Sequence, residues 1–223
     1  EVVAAGMTYA PKALKPVEAL SRANIFRGIR DPKLRKAVTP TFAVGCKRIL
    51  KSNEWYPTLD QDNVELVTDG IARVTETGIV TNDGTARDVD VIVVATGFHV
   101  TDSPIFGAIV GSGGKSLAQV WEAEGMQAYK GSFVHGFPNL MLLVGPSTGL
   151  GHTSMVYMIE SQLNYLVDYL RKTRSRGIVR TDVTKTAQDE YNRGLQHNLR
   201  NSVWVNGGCS SWYSDVAFHA MST

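Results

Sequence analysis

Three places in this sequence carry residue types whose order and spacing could do chemistry. In VGPSTGLGHTSMVYMIESQ, Val144 to Gln162, an apolar run ends at a Gly-Pro corner, Gly149 and Gly151 follow, and a helical pattern begins near His152. Strand, glycine corner and helix in that order aim unpaired helical N–H groups at the strand's carboxyl end, a setting that attracts an anion or an electron-rich carbonyl edge. In VIVVATGF, Val91 to Phe98, a β-branched run enters Thr96–Gly97, where the missing Cβ admits a ligand or a second backbone. Arg48 follows Gly45, Cys46 and Lys47, and by itself reads as a surface charge.

Other chemistries lack their patterns. Neither the glycine corner nor Gly111–Lys115 has GxxxxGK[ST] spacing, and GxGxxG occurs nowhere. Ser154 and His152 suggest a hydrolase pair, but there is no GxSxG elbow and Ser154 falls within the helical pattern. The five histidines show neither HExxH nor paired spacing, so no metal site is expected. A formal charge of +2 is too small to call for a nucleic-acid partner, and the basic run Arg171–Arg176 reads as the close of a helix. No run approaches the roughly 18 apolar residues of a membrane span. Cys46 and Cys209 lie far apart without CxxC spacing, which suggests reduced thiols and a cytoplasmic location. The opening EVVAAGMTYAPK has no signal layout and reads as a start inside a longer protein.

The positioning elements follow from periodicity. Val17, Leu20, Ile25 and Ile29 predict a helix over Lys15–Arg30, stopped by Asp31–Pro32. Thr39–Pro40 begins a stretch that reads as extended through Arg48. Short strands are expected at Val64–Val67, Ile71–Thr75 and Ile79–Thr81, with a hairpin turn at Asn82–Gly84. Val89–Ala95 reads as a strand buried on both faces, and Leu140–Val144 as a second apolar strand. Met155, Ile159, Leu163, Leu166 and Leu170 predict an amphipathic helix, another helix is expected over Thr184–Leu199, and the tail from Val203 reads as loop with some strand. Buried strands followed by glycine, one of them by a helix, point to an α/β fold.

Taken jointly, GCKRIL, EWYPTLDQDNVELV, VDVIVVATGF, GFPNLMLLVGPSTGLGHTSMVYMIESQ and CSSWYSD resemble the C-terminal portion of a Baeyer–Villiger-type flavin-containing monooxygenase, in order and spacing from Asp31 to Asp215. The resemblance implies a partial flavoprotein with two dinucleotide-binding, Rossmann-like domains: residues 1–95 closing the NADP domain with part of a helical insertion, and residues 96–223 closing the FAD domain. It implies FAD and NADP as cofactors. It also implies insertion of one oxygen atom of O₂ into a ketone, or transfer to sulfur or nitrogen, by way of a C4a-peroxyflavin, with a ketone, thioether or amine as partner.

Residue by residue, the resemblance makes Arg48 the catalytic arginine and gives Thr96 and Gly97 to a nucleotide-facing ATG motif. Gly145, Pro146, Thr148, Gly149, Leu150 and Gly151 match the flavin-edge segment, and Trp212 matches a tryptophan near nicotinamide and substrate. The family's glycine fingerprints would lie upstream of Glu1, and Val216–Thr223 departs from the family pattern. The chain therefore reads as a fragment, with a catalytically inactive remnant and an N-hydroxylating relative as the alternatives. Oligomeric state is left open.

Overall fold

The computed structural model describes residues 2–97, 101–149 and 154–210. Its chain packs as two compact units, one of Glu1–Ser21, Pro40–Lys51 and His99–Thr223, the other of Arg22–Thr39 and Ser52–Phe98.

The smaller unit is built on local hydrogen bonds. Helix α2 (Lys15–Gly28) ends two residues before Arg30, and Asp31 caps α3 (Pro32–Val38) by accepting from Lys33 N at 2.9 Å and Leu34 N at 3.2 Å. Asp31–Pro32 thus ends one helix and starts the next, because proline suits the first helical turn and aspartate the cap. The short helix α4 (Trp55–Leu59) is followed by Asp60, which accepts from Arg30 Nε at 2.7 Å. Strands β1 (Ile71–Val74), β2 (Gly78–Thr81) and β3 (Ala86–Asp88) form an antiparallel meander in the order β1-β2-β3.

Its hairpin lies where the sequence placed it. Asp83 accepts from Thr81 Oγ1 at 2.6 Å, Thr85 N at 3.0 Å and Thr85 Oγ1 at 2.9 Å, while Gly84 takes φ +86°. Those donors, Thr81 foremost, hold the Asp83 carboxyl down at about 2.

Two strand expectations fail here. Val64–Val67 has no strand, and Val89–Ala95 pairs in no ladder among the described residues. Far from being buried on both faces, Val91 is 76% exposed and Val93 83%. β-Branched side chains favour an extended backbone, but a ladder also needs neighbouring strands, and the described residues contain none for this segment.

The larger unit has two apolar clusters. Helix α1 (Val2–Tyr9), a 3₁₀ turn at Pro11–Leu14 and α9 (Val203–Asn206) bring Met7, Leu14 and Val203 together, with Val44, Ile49 and Trp204 against them. The tail is thus helical at Val203, where loop and strand were expected. Its Ser202–Asn206 and Val203–Gly207 turns close within the segment and need no partner strand.

The second cluster gathers Leu117, Trp121, Ala128, Val134 and Phe137. Helix α6 (Leu117–Glu124) opens on a reciprocal cap between Ser116 and Gln119, and Trp121 donates its indole N–H to Gln127 O at 3.0 Å. Phe106, on the short α5 (Ile105–Ala108), meets the Trp121 ring edge-on at 4.8 Å.

Helices α7 (Met155–Ser175) and α8 (Lys185–Leu199) form as expected, capped by Ser154 and Thr184. The basic run does close α7, with Lys172 on Asp168 at 2.7 Å. The stripe on α7 is only partly covered, however: Leu163 is 41% and Leu170 52% exposed. No described helix is long and apolar enough to cross a membrane.

The Asp83 cluster yields a pH test. A carboxyl depressed from 3.8 to about 2 adds stability above the ordinary value and loses it as pH falls towards the folded one. Thermal melts should therefore show Asp83→Asn below the wild type at pH 5, with the gap closing between about pH 4 and 2. A gap that does not change with pH would exclude this account.

Candidate functional site

The Gly145 corner is built by buried polar groups. Gln162, the second turn of α7 along and 5% exposed, accepts from Val144 N at 2.8 Å and donates to Gly131 O at 3.3 Å and Ser132 Oγ at 3.0 Å. Val144 stands at φ +55° and Ser147 at +62°, a left-handed region that a β-branched residue occupies at a cost of about 1–3 kcal/mol. The Gln162 carbonyl holds that geometry.

Thr148, 7% exposed, turns its hydroxyl inward onto Gly145 O at 2.7 Å, and Pro146 is buried beside it. Gly145 and Gly131 approach so closely that a Cβ on Gly131 would overlap the Thr148 side chain. Leu140–Val144 is therefore not a strand. Leu142 N donates to Ser132 O at 2.8 Å, and Asn139, at φ +59°, exchanges bonds of 3.0 Å with Thr181. A loop and a helix take the hydrogen bonds that a neighbouring strand would have taken.

Arg48 lies two residues beyond a tight turn at Ala43–Cys46, so the stretch from Thr39 to Arg48 is not extended throughout. Cys46 N donates to Ala43 O at 3.1 Å around Gly45, whose φ of +89° is the glycine position of a tight turn. Gly45 packs on Met7, where an added Cβ would stand 2.7 Å from the methionine methyl carbon. Cys46 is fully buried and Ile49 half-buried, whereas Lys47 and Arg48 are exposed. The turn thus points its apolar residues into the Met7 cluster and its two cations outward.

The cysteines are not reduced thiols. Cys46 and Cys209 form a disulfide with their Cα atoms 6.1 Å apart, across a sequence separation of 163. Folding brings the turn onto α9, where Ala43 N donates to Gly207 O at 2.8 Å. By the chain-entropy model a loop of this length gives about 5 kcal/mol of stabilisation.

Thr96 and Gly97 are exposed, and a Cβ on Gly97, at φ +91°, would meet nothing within 4 Å. Arg48 and the Gly145 corner belong to the larger unit, Thr96 and Gly97 to the smaller. Gly149 is half-buried at the end of the corner; Leu150, Gly151 and Trp212 lie outside the described residues. Among those described, no group of three or more His, Cys, Asp or Glu is placed to hold a metal.

A cavity of about 190 Å³ opens elsewhere in the larger unit, walled by Tyr129, Phe133, Tyr165 and Tyr169, and burial pushes the Tyr165 hydroxyl up. It is smaller than the roughly 300–1,000 Å³ of a typical ligand site. Sequence reasoning missed Gln162, Gln188 and Asn192. Their signal was an amide on the inner face of an amphipathic helix, where an apolar residue is the norm.

No family model matches the chain. It is 46% identical over 208 residues to a Baeyer–Villiger monooxygenase of Pseudomonas aeruginosa, a match that covers 93% of this chain and 39% of that protein. A Baeyer–Villiger monooxygenase of Streptomyces coelicolor is 44% identical over 218 residues, covering 97% of this chain and 42% of its own length. Among solved structures, an oxidized steroid monooxygenase bound to NADP superposes with a TM-score of 0.79 at 31% identity, covering 94% of this chain and 40% of that one. The monooxygenase OTEMO in complex with FAD and NADP also gives 0.79, at 25% identity, covering 91% and 38%. The chain thus spans about two fifths of these proteins, and its fold is that of a partial α/β flavoprotein. By sequence over nearly its whole length and by fold, the chain corresponds to a part of the Baeyer–Villiger monooxygenases.

Proposed function

We propose that the chain is part of an FAD- and NADP-dependent monooxygenase that places one oxygen atom of O₂ into a ketone, or onto the sulfur or nitrogen of a thioether or amine. The observation that carries this reading is the sequence match over 93% of the chain to a protein named for that chemistry. We assign residues 1–95 to the nucleotide domain that binds NADP and 96–223 to the one that binds FAD. In support of that boundary, the two compact units part at Phe98–His99, although residues 1–21 and 40–51 pack with the later segment. A cytoplasmic location completes the reading.

The residues present fit the cofactors in kind. Gly97 leaves open space where any other residue would carry a Cβ, so a nucleotide has room against its backbone. The corner from Gly145 to Gly149 is held rigid from behind by Gln162 and Gly131, as a wall for a planar ring must be. Thr148 contributes to that wall by fixing Gly145, its hydroxyl being spent on the corner's own carbonyl. Leu150 and Gly151 would extend the same edge, and Trp212 would offer an indole to stack and one N–H to donate.

When bound, NADPH supplies the hydride and FAD the centre at which O₂ is activated. Arg48, exposed just beyond the Ala43–Cys46 turn, would hold the negative charge that develops on oxygen during transfer. The uncovered side chains Val91, Val93, Val94, Leu163 and Leu170 are where we place the packing of the rest of the protein.

Three measurements test this reading. Joined to the remaining length of the Pseudomonas aeruginosa relative, the chain should take up FAD and consume O₂ with NADPH in the presence of a ketone or thioether. A protein that stays colourless in excess FAD and takes up no O₂ would be the inactive remnant instead.

In that joined protein, Arg48→Ala should lower kcat/KM for oxygenation by about 100-fold or more, as for loss of one transition-state donor, with FAD affinity retained. Loss of FAD would show that Arg48 has a different role.

Gln162→Leu strips partners from Val144 N, Gly131 O and Ser132 Oγ. Each group left buried without a partner costs about 1–3 kcal/mol, so unfolding in urea should shift and FAD affinity should fall together. Unchanged FAD affinity would separate the corner from the flavin.

A further inference from the structure

We propose that Cys46 and Cys209 are positioning residues for Arg48: their disulfide holds the segment 43–49, which opens on the Ala43–Cys46 turn, onto α9, and reduction by a dithiol frees that segment while the rest of the unit stays folded. The functional consequence rests on the role proposed above for Arg48; the structural claim does not.

The attachments of the turn converge on α9 and the Met7 cluster. Ala43 N bonds Gly207 O, and Cys46 N bonds Ala43 O within the turn itself. Gly45 and Ile49 lean on the Met7 cluster, and a covalent link joins Cys46 to Cys209. Gly207 could carry no side chain here, since a Cβ would stand 2.8 Å from Cys46 Sγ. Arg48 is only two residues beyond the linked cysteine, so the cross-link restricts the backbone that aims its guanidinium. The same link ties Ser210, next to Cys209, to the same turn.

The two sulfurs are unequal. Cys46 is fully buried and Cys209 half-buried, so an incoming thiolate reaches Cys209 first. It bonds Cys209 Sγ and displaces Cys46 as a thiolate, which takes up a proton. The second thiol of the reagent then resolves the mixed disulfide and leaves Cys209 as a thiol. Two electrons and two protons pass to the protein, and the dithiol ends as its own disulfide. Reduced, the turn keeps its hydrogen bond and apolar contacts but loses the covalent tether. In the cytoplasmic location proposed above, a link of this kind is characteristically transient or redox-sensing.

Trypsin reads the turn directly, because Lys47 and Arg48 are its cleavage residues. The chain should first give, without reductant, a linked pair of tryptic peptides, 37–47 with 201–223, that separates on reduction. Native-state nicking after Lys47 and Arg48 should then rise by at least about tenfold with dithiothreitol, as local opening follows loss of a tether. Nicking after Lys130 and Arg193 in the same unit should change little. Cys209→Ser without reductant should match the reduced wild type.

Absence of the linked pair, or equal nicking at Lys47 and Arg48 with and without dithiothreitol, overturns the proposal and leaves the reading of Arg48 standing. A parallel rise at Lys130 and Arg193 also overturns it, because the bond would then be a staple of the whole unit. If nicking responds as expected but Arg48→Ala in the joined protein spares oxygenation, the tether stands and the role of Arg48 falls.

Discussion

The larger unit depends on buried amide side chains that take over the hydrogen bonding of an irregular loop. Residues 128–137 form no extended ladder, yet Ala128, Ser132, Val134 and Phe137 are buried. Their backbone groups need partners, since each buried polar group left unpaired costs about 1–3 kcal/mol. Gln162 of α7 serves Gly131 O and Ser132 Oγ; Gln188 of α8 accepts from His135 N at 2.8 Å; Asn192 donates to Ala128 O at 3.4 Å. An amide can donate and accept at once, so one Gln162 side chain joins this loop to the Gly145 corner. The corner inherits its rigidity from a helix to which it is not otherwise hydrogen-bonded by a regular ladder.

The Arg48 turn solves the opposite problem. Its residues alternate between burial and exposure over a few positions, and little regular structure surrounds it, so hydrogen bonds alone would leave it weakly held. A glycine at positive φ makes the reversal, Met7 fills the space beneath it, and a covalent bond fixes its end. A long guanidinium on such a base loses less conformational freedom when it engages a charge than it would on a free loop. Corner and turn are thus two routes to one end: polar satisfaction from a helix in the first, cross-linking in the second.

How much of this the sequence revealed depended on the range of the interaction. Helices α2, α7 and α8 and the Asp83 hairpin were legible because their signals are local: a 3.6-residue apolar period, a capping Ser or Thr, an Asn-Asp-Gly turn. The caps at Asp31 and Ser116 are equally local, though only the first was marked, as a stop and not as a start. The cysteine pair was misread because sequence distance says nothing of spatial distance once the turn packs on α9. Gln162 was passed over because helical periodicity weighs apolar residues and is silent about an amide that serves a loop some thirty residues away. The candidate site residues were assigned by resemblance, while the contacts that hold Gly145 and Thr148 in place are ones that no spacing encodes.

The run VDVIVVAT shows where propensity ends and topology begins. The χ1 restriction of Val91, Ile92, Val93 and Val94 favours an extended backbone, but the segment forms no strand among the described residues and its side chains are 47–83% exposed. A strand of a parallel sheet gains stability from neighbours on both sides and helices on both faces, all supplied by residues distant in sequence. The described residues supply no such neighbours for this run. Helix α7 follows the same rule, with Val156 60% and Tyr157 70% exposed on a helix that buries Gln162. Both surfaces are apolar without a covering neighbour among the described residues, so local patterning alone does not account for them.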